Sequence, residues 1–270
     1  HEARKYDYGL VLVVGGSEFY TGAPALAGLA AFQAGVDIVR IIAPRRAADV
    51  IASFSPVLSA FGVEGDYIRG DHLATLISRT EAGKEVAHGK VAVVIGSGIG
   101  RTEETQTTVT QYLAQVNVPV VIDADAIHAV AATPGVLADK PFIVTPNQYE
   151  FMVLTGRKVR ELTLDQRIKA VEEEAVKLKT TIVLKGGTDI ISNGTETMID
   201  EAGSPYLTGG GTGDTLAGII AAMLARKADL VVAAAAGTYI NGTAGELAAR
   251  EKKESLIATD LLETISKVIN

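Results

Sequence analysis

A chain of 270 residues with 47% hydrophobic residues and no cysteine carries enough apolar mass for one large α/β domain over residues 1–270, and it excludes disulfide scaffolds, thiolate zinc sites and thiol nucleophiles. The formal net charge of -7 argues against a nucleic-acid partner, and no apolar run reaches the roughly 20 residues that span a bilayer, so no membrane role is expected. No signal-peptide pattern opens the chain and no disulfide is available, which together predict a cytoplasmic location; the start at His1 without methionine fits a trimmed or fragmentary chain.

In chain order, "GLVLVVGG" (9–16) is a continuous β-branched run closed by glycines, the pattern of a strand buried on both faces of a parallel sheet. "APALAGLAAFQAG" (23–35) predicts a helix of small residues ending at Gly35, and "VDIVRIIAP" (36–44) the next strand. "GKVAVVIGSGIG" (89–100), "VPVVIDA" (118–124), "PFIVTPN" (141–147) and "TTIVLKGG" (180–187) repeat the strand theme. Within "TLDQRIKAVEEEAVKLK" (163–179), Thr163 and Gln166 have the spacing of a capping box at a helix start. "IISNGTETMID" predicts a hairpin through Asn193-Gly194, and three helices follow over 212–226, 229–250 and 259–269. Strands alternating with helices predict an α/β fold with a mainly parallel sheet covered on both faces. Ligands of such sheets bind beyond the carboxyl ends of the strands. "GGSEFYTG", "GSGIGR", "DADA", "TPNQYE" and "KGGTD" all stand at such ends, which predicts one shared cleft.

The richest motif is "YLTGGGTGDTLAGIIAAMLA" (206–225), where Gly209, Gly210, Gly211 and Gly213 precede Asp214. Glycines let the backbone curl close to an anion, and a helix start supplies unpaired N–H groups. Asp214 has two readings: a first-turn acid favoured by the helix dipole, or a base that takes the proton of an attacking hydroxyl. No Gly-Lys-Ser/Thr follows, so the loop is not a Walker A motif. "LKGGTD" offers Lys185, Gly186, Gly187, Thr188 and Asp189 to a nucleotide's phosphate or ribose edge, or else forms a turn with a solvated lysine. In "TPNQYE", Asn147 and Glu150 either hold a hydrated Mg²⁺ or cap a helix. Of Asp123 and Asp125 in "DADA", one faces the site and the other caps the next helix. "GSGIGR" (96–101) brings its third glycine one residue early for a dinucleotide fingerprint, and a tight turn explains it equally well. "GGSEFYTGAPALAG" (15–28) lines the cleft or serves as turn and packing. His1, His72, His88 and His128 share no spacing with acids or serines, so neither a triad nor a zinc site is predicted.

In this order the motifs resemble the ribokinase-like superfamily. "VLVVGGSEFYTGAPALAGLAAFQAGVDIVRIIAP", "VVIGSGIG", "VVIDADAI", "TPNQYE", "VLKGGTD" and "TGGGTGDTLAG" together are similar to the ATP/ADP-dependent NAD(P)H-hydrate dehydratase family, from about residue 9 to about residue 250. The resemblance implies a three-layer ribokinase-like α/β/α sandwich and a metabolite-repair lyase. ATP or ADP, with Mg²⁺, phosphorylates the ring hydroxyl of hydrated NADH or NADPH, and loss of phosphate restores the reduced cofactor. It implies Asp214 as the base, with Gly210, Gly211, Thr212 and Gly213 as the anion hole. Lys185 to Asp189, Ser204 to Thr208, and Gly209, Gly210 and Gly213 would hold the nucleotide. Ala23, Gly98, Asn147, Glu150 and Asp214 would face the damaged cofactor. It also implies a homo-oligomer and an NAD(P)H-hydrate epimerase partner, separate or fused. Many family members carry histidine where this chain has Asn147 and Asn241. "TPNQYE" also resembles kinases of pyridoxal or hydroxyethylthiazole, so a vitamin-alcohol kinase stands as an alternative, beside a non-catalytic adenylate- or NAD-binding protein.

Overall fold

The computed structural model describes residues 4–269, and the predicted alternation runs through it. The strands are β1 (Leu10–Val14), β2 (Ile38–Pro44), β3 (Ser59–Val63), β4 (Val91–Ile95), β5 (Val120–Ile122), β6 (Phe142–Val144), β7 (Thr181–Leu184), β8 (Asp189–Ser192) and β9 (Thr197–Asp200). They form one sheet in the order β3-β2-β1-β4-β5-β6-β7-β8-β9, parallel from β3 to β7 and antiparallel at β8 and β9. The helices are α1 (Ala23–Gln33), α2 (Arg45–Phe54), α3 (Leu73–Val86), α4 (Glu103–Gln115), α5 (Asp125–Ala132), α6 (Gln148–Thr155), α7 (Leu164–Leu178), α8 (Thr212–Ala225), α9 (Leu230–Lys252) and α10 (Ala258–Ile269).

Successive strand side chains point to opposite faces, and here both faces are covered. Leu10, Leu12 and Val14 of β1 join one apolar cluster with residues of α3 to α7. Val11 and Val13 join the other, with residues of α1, α2, α8, α9 and α10. That is why β1 reads as an unbroken apolar run. The backbones of α1 and α8 nearly touch: a Cβ on Gly218 would overlap the carbonyl oxygen of Ala27. The small residues of α1 permit this approach, which brings the start of α8 over the middle of the sheet.

The expected punctuation is present. Gly35, at φ +92°, follows α1 and donates its N–H to the Phe32 carbonyl. Thr163 Oγ1 accepts the Gln166 N–H at 3.3 Å, and Gln166 Oε1 accepts the Thr163 N–H at 3.0 Å. The hairpin at Asn193-Gly194 turns over residues 193–196 instead of two residues, because Asn193 Oδ1 accepts the N–H groups of Thr195 and Glu196 at 2.9 and 2.8 Å. Among the described residues no helix is long and apolar enough to cross a membrane.

Strand β1 lies between β2 and β4, so the sheet order reverses there. The connection after β1 leads into α1 on one face, and that after β4 leads into α4 on the other. A crevice opens between them at the carboxyl edge, the usual ligand position in such sheets.

Candidate active site

The glycine run ends in Gly211, whose φ of +96° a side chain would resist, and α8 begins at the next residue. Thr212 Oγ1 donates to the carbonyls of Leu207 and Gly209 at 2.9 and 3.1 Å, pinning the loop to the helix. Gly209 and Gly210 are exposed, so this helix start faces open space. Gly213 is glycine for a local reason: a Cβ there would sit 3.3 Å from Lys185 Nζ and 3.7 Å from Asp123 Oδ2. The first turn of α8 therefore rests on a cluster of charges.

That cluster gathers the ends of β5, β6 and β7. Lys185 Nζ donates to Asp123 Oδ1 at 2.7 Å and lies 4.0 Å from Glu150 Oε2. Thr145 Oγ1 donates to the same Asp123 oxygen at 2.7 Å. Burial works to lower the Lys185 pKa, but Asp123, Glu150 and Asp214 outweigh it and hold the lysine charged. Half-buried Asp214 is pushed up to about 7, first by burial and then by Asp123, while the nearby Ser97 hydroxyl and Lys185 pull it down. A carboxylate with that pKa is a competent base at neutral pH. Glu150 is also raised by burial, against the pull of Lys185 and the Asn147 N–H.

Asn147 and Glu150 form a reciprocal cap on α6. Asn147 Oδ1 accepts the N–H groups of Tyr149 and Glu150, both at 2.9 Å, and Glu150 Oε2 accepts the Asn147 N–H at 2.8 Å. The Asn147 oxygen is thus spent, and a metal would meet only the other Glu150 oxygen. Among the described residues no group of three or more histidines or acids gathers as a metal site. Residues 185–188 form the turn between β7 and β8, held by Lys185 N–H to the Pro146 carbonyl at 2.8 Å. Asp189 Oδ1 accepts the Gly186 N–H at 2.8 Å, and burial pushes Asp189 up to about 6.

Ala23 and Gly98 are neighbours across the crevice: a Cβ on Gly98 would lie 3.6 Å from the Ala23 Cβ and 2.6 Å from that of Tyr20. Ser204 caps the turn at Pro205–Thr208 by accepting the Tyr206 N–H at 3.3 Å, and Thr208 is exposed at its end. Among the described residues no hydrogen bond or ion pair joins Ser204 or Thr208 to the Lys185 cluster. Asp123 is the "DADA" acid inside the site; Asp125 instead holds Gly100 and Arg101. His72, His88 and His128 form no triad, and His1 lies outside the described residues.

Two participants went unrecognised in the sequence, and the part played by a third, Asn241, was not legible there. Thr145 and Ser97 carry no periodic signal, only their position at strand ends. Asn241 in α9 accepts the Thr215 hydroxyl at 2.7 Å and donates to the Thr212 carbonyl at 3.3 Å, clamping the first turn of α8. Asn241→Ala leaves the fully buried Thr215 hydroxyl without this partner, and denaturant unfolding is expected to show a loss of about 1–3 kcal/mol.

The sheet order, with a crevice at its reversal point, a glycine-built helix start, an acid beside it and a half-buried lysine, is that of an α/β protein with the ribokinase-like fold. The family model described as NAD(P)H-hydrate dehydratase matches residues 11–267, and the chain belongs to that family. It is 39% identical to the bifunctional NAD(P)H-hydrate repair enzyme Nnr of Pyrobaculum aerophilum, over 99% of this chain and 52% of that protein. The chain thus spans about half the length of the bifunctional relatives it matches. It is 35% identical to the ADP-dependent (S)-NAD(P)H-hydrate dehydratase of Cenarchaeum symbiosum, over 99% of this chain and 91% of that one. The structure is similar to that of the Bacillus subtilis ADP/ATP-dependent NAD(P)H-hydrate dehydratase co-crystallised with ATP/Mg²⁺, with a TM-score of 0.79, 28% identity, and coverage of 99% and 91%.

Proposed function

We propose that residues 1–270 act as one domain that uses ADP or ATP to return hydrated NADH or NADPH to the reduced cofactor. The observation that carries this reading is Asp214, a half-buried carboxylate with a pKa of about 7 at the start of α8, beside the Lys185–Asp123 pair. Family membership supplies the substrate.

Asp214 takes the proton of the ring hydroxyl as its oxygen bonds to the terminal phosphorus of the nucleotide. The bond from that phosphorus to its bridging oxygen breaks, and the shortened nucleotide leaves. Backbone N–H groups from Gly210 to Gly213, with Lys185, stabilise the charge on the transferring group. The ring C–O bond then breaks, and phosphate carries off the electron pair while the ring nitrogen pushes electrons in. Loss of a proton from the adjacent ring carbon restores the dihydronicotinamide. Hydroxide is a poor leaving group and phosphate a good one, so the first step enables the second.

The nucleotide is held by the 185–189 turn, Ser204 to Thr208, and the glycine loop; Ala23, Gly98, Asn147 and Glu150 line the cofactor side. Mg²⁺, when bound, neutralises phosphate charge. In the Asn147–Glu150 pair, the free Glu150 oxygen would be the one left to hold its water shell. The half-length match to bifunctional relatives supports an epimerase partner, separate or fused. A homo-oligomer is supported by β9, an outer strand with Met198 and Ile199 exposed. Asn147, which motivated the vitamin-kinase alternative, spends its oxygen on the α6 cap and lends that reading no support.

The test is recovery of dihydronicotinamide absorbance from hydrated cofactor with Mg²⁺ and either nucleotide. Recovery that requires ADP or ATP supports the reading; no recovery with either, from folded protein, overturns it. A pH series adds a sharper outcome. Because the base must be ionised, kcat/KM is expected to rise with pH up to about 7 and then level off. A profile flat from pH 5 to pH 8 would remove Asp214 from the role.

A further inference from the structure

The reaction joins two anionic molecules, and the glycine loop with Lys185 serves only the donor. The chain as a whole is negative at -7, so an anionic dinucleotide needs a cation of its own at the crevice. Arg101 stands where such a cation is required. It follows the loop after β4, beside the reversal point of the sheet, three residues beyond Gly98.

Asp125, the first residue of α5, holds Arg101 in place: one oxygen accepts Arg101 Nε at 2.6 Å and the other accepts the Gly100 N–H at 3.0 Å. Gly100, at φ +89°, allows the loop to make this return. The grip uses only Nε. The Arg101 side chain is 52% exposed, and among the described residues its two terminal nitrogens have no hydrogen-bond partner. The guanidinium lies close enough to the cleft to pull down the pKa of both Glu150 and His128. Lys185, the other cation acting on Glu150, pairs with Asp123 and is assigned above to the transferring phosphoryl group.

Arg101 lies on the α4–α5 side of the crevice and the glycine loop on the α8 side, so the two anion-binding elements are separate. The pyrophosphate is the anionic group that hydrated NADH and NADPH share. We infer that Arg101, oriented by Asp125, binds the pyrophosphate of the dinucleotide substrate. This rests on the dehydratase reading. A fixed guanidinium with two free nitrogens suits the paired oxygens of a phosphate.

The test compares Arg101→Met with wild type on three molecules. For hydrated NADPH, KM is expected to rise about 10- to 100-fold with kcat within about twofold, the range for charged hydrogen bonds. For hydrated reduced nicotinamide riboside, which lacks phosphate, kcat/KM should be the same in both proteins. The KM for ADP should also be unchanged, and Arg101→Lys should recover part of the loss. An unchanged KM for hydrated NADPH overturns the inference, as does an equal loss on the riboside, which marks a structural role. A rise confined to ADP assigns Arg101 to the donor and overturns it too. Equilibrium binding of NADPH separates this inference from the reading beneath it. If wild type shows no turnover, the dehydratase reading falls, yet weaker NADPH binding by Arg101→Met still supports the pyrophosphate contact and equal binding still rejects it.

Discussion

Asp214→Asn is expected to cut kcat by about 10²–10⁴-fold, the range for a lost general base, while nucleotide affinity changes little. The carboxylate sits at a helix start beside Lys185 and Asp123, where its raised pKa suits it to accept a proton. Asparagine keeps the shape and loses that ability. The same substitution should raise Tm at pH 8. The folded-state pKa of about 7 stands above the ordinary aspartate value of 3.8, so the fold favours the protonated acid. Wild-type stability therefore falls as pH climbs from about 4 to about 7, and the full cost persists above that. Asparagine carries no such cost, so the Tm difference should vanish near pH 3 and grow through pH 7. A Tm that drops at pH 8, with turnover intact, would contradict both the burial and the role.

Lys185→Met is the second large effect, acting on fold and chemistry together. Removing the ammonium leaves Asp123, 2% exposed, with only the Thr145 hydroxyl, and an uncompensated buried charge costs about 3 kcal/mol or more. Turnover should fall about 10²–10³-fold as the transferring phosphoryl group loses its cation. Residual activity should show its acid limb moved to higher pH, because Lys185 holds the Asp214 pKa down. The double variant Lys185→Met/Asp123→Asn separates the two effects: denaturant unfolding should recover most of the stability, and turnover should stay low. Recovery of both would make Lys185 a purely structural partner.

The fold was legible in the sequence because a parallel sheet writes itself in unbroken β-branched runs. The run at β1, the helix stop at Gly35 and the Thr163–Gln166 box all needed only local information. The start of α8 was legible too, since Gly211 takes the left-handed backbone that favours glycine and the apolar helical run begins at the next residue. The pairing inside the site was not. Lys185 and Asp123 are far apart in the chain, and only the ordering of β5, β6 and β7 makes them partners. Asn147 shows the opposite limit. Its sequence allowed a metal ligand or a helix cap, and both readings use the same oxygen, so geometry alone could show that the cap takes it. Asn241 lies on a different helix from the turn it clamps, and no spacing rule links it to Thr212 and Thr215.

The central claim is that this site phosphorylates a hydroxyl in order to expel it. The most direct test follows nucleotide consumption, free phosphate and dihydronicotinamide absorbance in one reaction with hydrated NADPH. Equal amounts of nucleotide consumed, phosphate released and NADPH regenerated are predicted. A phosphorylated product that accumulates without NADPH, or NADPH recovered without nucleotide consumption, would contradict it.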